Sequence, residues 1–241
     1  MKYAIIAAGE GSRLAQEGAK MPKPLVKVCG ETLIGRLIRI FMENDATEIL
    51  VICNEASTLV SDYLSGLRNN RQGQSIPLRV IRKTTPSSMH SFYELSKYMS
   101  GNEPFVLTTV DTVFKEDDFN GYVAELKCCV ADGMNGMMGV TDYVDDEKPL
   151  FVSTGDNMMI TGFHDTENGC RYISGGIYGL TPATIKTLKR CVERGESRMR
   201  NFQRALIKDG QNLKAYKFSK VLDIDHKSDI AKAEDFIKEK I

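Results

Sequence analysis

Near its amino end the chain runs from an apolar stretch, Tyr3-Ala4-Ile5-Ile6, straight into Ala7-Ala8-Gly9-Glu10-Gly11-Ser12-Arg13-Leu14. The stretch reads as a buried strand. A strand that ends in glycines brings backbone N–H groups up to an anion, because glycine takes positive φ and has no Cβ to obstruct the approach. Two fixed cations follow, Arg13 and Lys23, the second inside Pro22-Lys23-Pro24. A triphosphate suits such a loop. The plainer alternative is a strand-to-helix turn with no ligand, which a bare pair of glycines would support equally well.

Two other phosphate loops are excluded. The dinucleotide fingerprint needs a third glycine where this chain has Leu14, which also removes a hydride-transferring dehydrogenase. No G-x-x-x-x-G-K-[ST] occurs, so this is not a P-loop. With 241 residues the chain suits one large domain, 1–241. Its 32 basic and 32 acidic residues cancel, and it has no Trp and no basic stripe, which argues against nucleic acid and anionic membrane as partners. The first apolar run is too short for a secretory signal or a membrane span. The six cysteines show neither C-x-x-C pairing nor histidines at zinc spacing, so free thiols and a cytoplasmic location are expected.

Strand and helix patterns alternate through residues 1–131. Apolar runs at 48–53, 78–81 and 105–110 read as strands, and the stripes at 32–44, 57–68 and 89–99 as helices. This alternation predicts an α/β fold with a Rossmann-like, mostly parallel mixed sheet and helices on both faces. Ligands of such sheets sit beyond the strand ends, where Gly9–Lys23 and Asp111 both fall. Residues 132–241 differ. Short strands at 137–140, 150–152, 158–163 and 172–180 read as a small β-rich insert over the sheet edge, suited to a second substrate. Helices at 182–194 and 199–209, a strand at 213–218 and a last helix at 228–240, capped by Ser228, complete the pattern.

Gly9-x-Gly11-Ser12-Arg13-Leu14 with Pro22-Lys23-Pro24 resembles the amino-terminal signature of the sugar nucleotidyltransferases, the nucleotide-sugar pyrophosphorylases, and the later motifs extend the resemblance over most of the chain. It implies nucleotide binding by Ala7, Ala8, Gly9, Gly11, Ser12, Arg13 and Lys23, with Arg13, Lys23 and Asp111 catalytic. Asp111 ends the strand Phe105–Val110, where the family places a metal-binding Asp, usually after Gly or Asn rather than Val110. Asp223-Ile224-Asp225 resembles the family's D-I-D stretch before the last helix, and two residues apart on extended chain point the same way. The second metal ligand is expected at Asp225, with Asp223 next, for Mg²⁺ or Mn²⁺ in its place. A turn or cap role for Asp111, and a solvated role for the other two, are the alternatives.

Ser88-Met89-His90-Ser91-Phe92 stands where the family meets the nucleobase and resembles the choline-phosphate cytidylyltransferase branch, although Ser88 serves equally well as a helix cap. Ser174-Gly175-Gly176-Ile177-Tyr178 resembles the family's N-A-G-I-Y acceptor strand, with Ser in place of Asn. Ser174, Gly175 and Gly176 are therefore expected at the acceptor, with Arg171 as the cation for its phosphate, the alternative being an exposed Arg with no role. The resemblance implies transfer of an NMP from an NTP to a small phosphorylated acceptor, a sugar 1-phosphate first, with release of pyrophosphate, by a monomer or homodimer. Phosphocholine is the alternative acceptor, with Phe163, Tyr172 and Tyr178 as aromatic faces for its cation. A molybdenum-cofactor guanylyltransferase-like enzyme and an inactive nucleotide-binding module are the further alternatives.

Overall fold

The computed structural model describes residues 1–68 and 75–239. The chain forms β1 (Lys2–Ala7), α1 (Ser12–Gln16), the short strands β2 (Lys27–Val28) and β3 (Glu31–Thr32), then α2 (Leu33–Glu43), β4 (Glu48–Cys53) and α3 (Thr58–Arg68). There follow β5 (Leu78–Arg82), α4 (Ser88–Ser96), β6 (Phe105–Thr109), β7 (Thr112–Val113) and α5 (Glu116–Ala131). The remainder forms β8 (Gly136–Thr141), β9 (Phe151–Thr154), β10 (Ile160–His164), β11 (Tyr172–Leu180), α6 (Ile185–Glu193), α7 (Met199–Lys208), β12 (Leu213–Lys217), β13 (Leu222–Asp223) and α8 (Lys227–Lys238).

Nine strands share one sheet, in the order β10-β9-β11-β6-β1-β4-β5, with β8 beside β11 and β12 beside β8. The strands β5, β4, β1 and β6 are mutually parallel. Strand β11 runs antiparallel to β6, β8 and β9. The β-rich second half therefore extends the main sheet, where an insert over its edge was expected. The long β11 makes this work: Ile177–Leu180 pair with β6, while Tyr172 and Ile173 pair with β9. Its register shifts between Ser174 and Ile177, where Gly176 takes a φ of 70°. Such a bulge turns the strand out of the parallel layer.

Alternation along β1 sends side chains to two cores. Tyr3, Ile5 and Ala7 join one that includes Phe41, Leu64, Phe119 and Phe236. Ala4, Ile6 and Ala8 join the other, with Phe92, Leu188 and Phe202. Helices α2, α3, α5 and α8 cover the first face; α4, α6 and α7 cover the second. Helix α5 lies outside the helices predicted from the apolar stripes. Its acidic first turn, Glu116-Asp117-Asp118, and its inward Phe119, Tyr122, Val123 and Leu126 carry the signal for it.

Two caps also differ from expectation. Helix α8 starts at Lys227, and the Asp229 carboxylate accepts from the backbone N–H of His226 (2.7 Å) and Asp225 (3.1 Å), so Ser228 is not the cap. The expected end at Lys240 lies outside the described residues. Ser87, not Ser88, caps α4, its hydroxyl accepting from the His90 N–H. All six cysteines are free, and among the described residues no helix is long and apolar enough to cross a membrane.

Candidate active site

Because β1, β4, β5 and β6 are parallel, their carboxyl-terminal ends share one sheet edge. A cavity of about 500 Å³ opens there, lined by Ala8, Gly9, Gly11, Lys23, Ser88 and Asp111 among the expected residues. Asn54, Thr84, Thr85, Ser87, Ser91 and Thr109 complete much of the wall. The sequence reading missed these, although Asn54 and Thr84 lie just past strand tips, which was the available signal. Ala7 lies buried in the sheet and Ser12 is exposed at the start of α1; neither lines the cavity. Gly11 has a φ of 60°, and a Cβ built there would stand 2.9 Å from the Lys23 Cβ. The loop can fold back on Lys23 only with glycine at this place.

Lys23 is held between two carboxylates. Its ammonium pairs with Asp111 and donates to Asp225 Oδ1 at 2.7 Å. Its side chain is only 10% exposed. Burial alone would lower the Lys23 pKa, but Asp111 and Asp225 outweigh it and leave the pKa raised. Asp225 is pushed up by burial, yet the Lys23 hydrogen bond and charge, and then Arg13, hold it below the usual carboxylate range. Arg13 donates to Asp225 Oδ2 at 2.7 Å and approaches Glu147 at 3.4 Å. Both cations singled out in the sequence thus meet on Asp225.

Distant segments meet here through a two-residue ladder. Strand β13 pairs antiparallel with β7, setting Asp223 against Thr112, and the Ile224 N–H donates to the Asp111 carbonyl at 3.1 Å. The Asp223 side chain opens onto the second cavity, and Thr112 Oγ1 donates to it at 3.4 Å. The protein packed around it, and next the charge of Asp111, raise its pKa to about 8, whereas Lys23 acts in the opposite sense. Protonation or a cation would relieve that repulsion.

The second cavity, of about 220 Å³, lies on the other side of the Arg13–Asp225 pair. Ser174 and Gly175 line it, as expected, with Thr141, Tyr143, Asp145, Asp146, Glu147 and Asp223. Two of these four acids have basic partners: Asp145 takes Lys232 at 2.8 Å, and Glu147 approaches His226 Nε2 at 3.5 Å as well as Arg13. His226, at the rim, pairs with Glu17 at 2.5 Å, and that hydrogen bond raises its pKa.

Arg171 does not reach this cavity. Its side chain is 69% exposed, 3.4 Å from Asp142 and over the Tyr172 ring, in the connection between β10 and β11. Gly176 lies at the bulge, away from the lining, with its open side toward Thr112 and Thr109. Phe163, Tyr172 and Tyr178 are buried in the second core and offer no faces to a ligand cation.

Among the described residues no group of three or more His, Cys, Asp or Glu is gathered as a metal cluster. The donor chemistry still fits a hard divalent cation. Asp111 and Asp223 are oxygen donors on segments tied together by the bond from the Ile224 N–H to the Asp111 carbonyl, and the Lys23 ammonium already sets positive charge between Asp111 and Asp225. Phosphate oxygens and water would supply the remaining ligands.

A family model described as the MobA-like NTP transferase domain matches residues 3–157. Among curated proteins, the chain is similar to the bifunctional IPC transferase and DIPP synthase of Thermococcus kodakarensis, 29% identical over 114 residues, 47% of this chain and 24% of that protein. It is also similar to glucose-1-phosphate cytidylyltransferase of Salmonella typhi, 25% identical over 210 residues, 77% of each chain. The chain thus spans about a quarter of the length of the first relative and over three quarters of the second. Among solved structures, the inositol-1-phosphate CTP transferase from T. maritima superposes with a TM-score of 0.78 at 21% identity, covering 100% of this chain and 97% of that one.

Proposed function

Because the chain belongs to the MobA-like NTP transferase domain family, we propose that it moves a nucleotidyl group from an NTP to a small phosphate monoester of a polyhydroxylated compound. A sugar 1-phosphate or a cyclitol phosphate fits, and pyrophosphate is the second product. An oxygen of the acceptor phosphate forms the new bond to the α-phosphorus, and the bond to the β-phosphate breaks. The observation that carries this reading is Lys23, buried and paired with Asp111 and Asp225 where the two cavities meet.

The acceptor phosphate is largely a dianion at neutral pH, since its second pKa is about 6. It needs no general base, so the residues have alignment and charge to supply. The glycine loop cradles the triphosphate in the larger cavity. Lys23 and Arg13, held on Asp225, give their remaining N–H donors to phosphate oxygens and balance the charge of the departing pyrophosphate. A divalent cation held by Asp111 and Asp223 would polarise the α-phosphate and bring the two phosphates together. Asp223 takes precedence over Asp225 in that role, because both oxygens of Asp225 are already engaged by Lys23 and Arg13.

Phosphocholine is the second reading, favoured by the acidic lining of the smaller cavity. Three contacts weigh against it: Lys220 covers the Tyr143 ring at 4.1 Å, Lys232 pairs with Asp145, and Arg13 approaches Glu147. The test is a pyrophosphate-release screen of four NTPs against glucose 1-phosphate, an amino-sugar 1-phosphate, inositol 1-phosphate and phosphocholine. Turnover with one of the polyol phosphates is expected. Turnover with phosphocholine alone overturns the acceptor class, and nucleotide binding with no release overturns the transfer itself.

A further inference from the structure

Gln203 is a polar residue where an apolar one is due. It follows Met199 by four residues on α7, on the stripe that also carries Phe202 and Leu206, and it is 1% exposed. Burying an unpartnered amide costs roughly 1–3 kcal/mol. Here its Nε2 donates to the Ser174 Oγ at 2.8 Å, 29 residues away in sequence. Ser174 is half-buried, its backbone N–H is spent on the Leu150 carbonyl at 2.8 Å, and its side chain lines the smaller cavity.

A serine hydroxyl has one hydrogen to give and two lone pairs to fill. The Gln203 amide fills one of them. With the Gln203 amide donating on its protein side, Ser174 has its own hydrogen left to give. The rest of the lining is rich in carboxylates, which only accept. The cavity thus offers carboxylate acceptors to the hydroxyls of a polyol, and Ser174 adds a neutral donor oriented by Gln203.

We propose that Gln203 is a positioning residue that fixes Ser174 as a hydrogen-bond donor toward the acceptor substrate and so favours a polyhydroxylated phosphate. This rests on the transfer reading above. Gln203→Glu is the discriminating change, since a carboxylate of nearly the same shape accepts from Ser174 and takes its hydrogen out of the cavity.

The experiment measures pyrophosphate release with the best polyol phosphate of the screen, and binding of glucose 1-phosphate, inositol 1-phosphate and phosphocholine by calorimetry. Gln203→Glu should raise the acceptor KM about tenfold, with kcat and the NTP KM within about threefold, which matches one lost hydrogen bond to a site that needs it. Gln203→Met, which leaves Ser174 free to rotate, should have a smaller effect. In a Ser174→Ala background the Gln203→Glu change should have none. An acceptor KM unmoved by Gln203→Glu, or an equal loss on the Ser174→Ala background, overturns the role of Gln203 and leaves the transfer reading standing. Acceptor binding that weakens in Gln203→Glu without any turnover by the unaltered protein supports the positioning role and overturns transfer. No binding of any of the three to the unaltered protein overturns both.

Discussion

The larger cavity is walled mainly by glycine backbone and by Ser, Thr and Asn side chains from four parallel strand ends. The smaller one is walled by Asp145, Asp146, Glu147, Asp223, Asp225 and Asp229, with Arg13, Lys232 and His226 among them. A triphosphate is always the same polyanion, so N–H groups, neutral hydroxyls and a few fixed cations suffice to hold it. On the acceptor side many of the charges are spent on one another, which leaves selection to the few groups without a partner. The two sides touch at Lys23 and Asp225, so a change there should act on every substrate pair alike, whereas a change deeper in either cavity should not.

Metal removal is the strongest way to break that comparison. Chelation should take turnover to background with every NTP and every acceptor, and Mg²⁺ should restore it. Asp111→Asn should lose about 10² or more in kcat at any Mg²⁺ concentration, because it removes both a hard ligand and a partner of Lys23. Steady-state pyrophosphate release decides this. Undiminished activity after chelation would overturn the assignment of Asp111 and Asp223 to a cation.

Lys23→Ala comes next, with an expected loss in kcat of about 10², the usual cost of removing one oriented charge at a phosphoryl centre. The ratio between two acceptors should stay constant in this variant, as it should in Arg13→Ala. An acceptor-dependent loss would mean that these cations select the acceptor rather than serve both substrates from the junction.

Asp225 gives a smaller effect, and one that depends on pH. Its folded pKa is lowered, so its contribution to stability is present above the ordinary carboxylate range and is lost as pH falls through the lower folded value. Its side chain is 39% exposed, so screening leaves about 1 kcal/mol, or a Tm difference of about 2–4 °C between the unaltered protein and Asp225→Asn at pH 7. The gap should narrow as pH falls below the ordinary carboxylate range and close once pH has passed the lower folded value. A gap of constant size across that range would show that charge has no part in it.

How far the site could be read from the residues follows the same division. Gly9, Gly11, Arg13 and Lys23 lie within fifteen residues of one another, and Asp111 ends a strong strand, so local pattern and the strand-tip rule reach them. The acceptor wall comes from residues 141–147, 173–175 and 221–232, with Gln203 behind it. No local period joins those segments; the bulge in β11 and the β7–β13 pairing do. Gln203 did carry a signal, as a polar residue on the apolar stripe of α7, but its partner is visible only in three dimensions. The alternation that predicted the parallel strands could not show that β11 would carry the sheet onward, because a register shift at Ser174 leaves no trace in hydrophobic period.

Arg171 is the smallest and sharpest case. The sequence offered it as the cation for the acceptor phosphate. In the fold its guanidinium is 69% exposed, 3.4 Å from the Asp142 carboxylate, and outside the cavity lining. Asp142 also has a closer partner in Lys217, at 2.7 Å. An exposed ion pair of this kind is worth roughly 0–1 kcal/mol, and removing one of two competing cations should cost less still. The cations already at the junction, Arg13 and Lys23, are the ones within reach of a phosphate placed between the cavities. Arg171→Ala should therefore leave kcat and the acceptor KM within about twofold of the unaltered protein, a change of under about 0.4 kcal/mol. A tenfold rise in the acceptor KM would mean that the loop after β10 folds inward when substrate binds, and that the smaller cavity acquires a cation it does not show here.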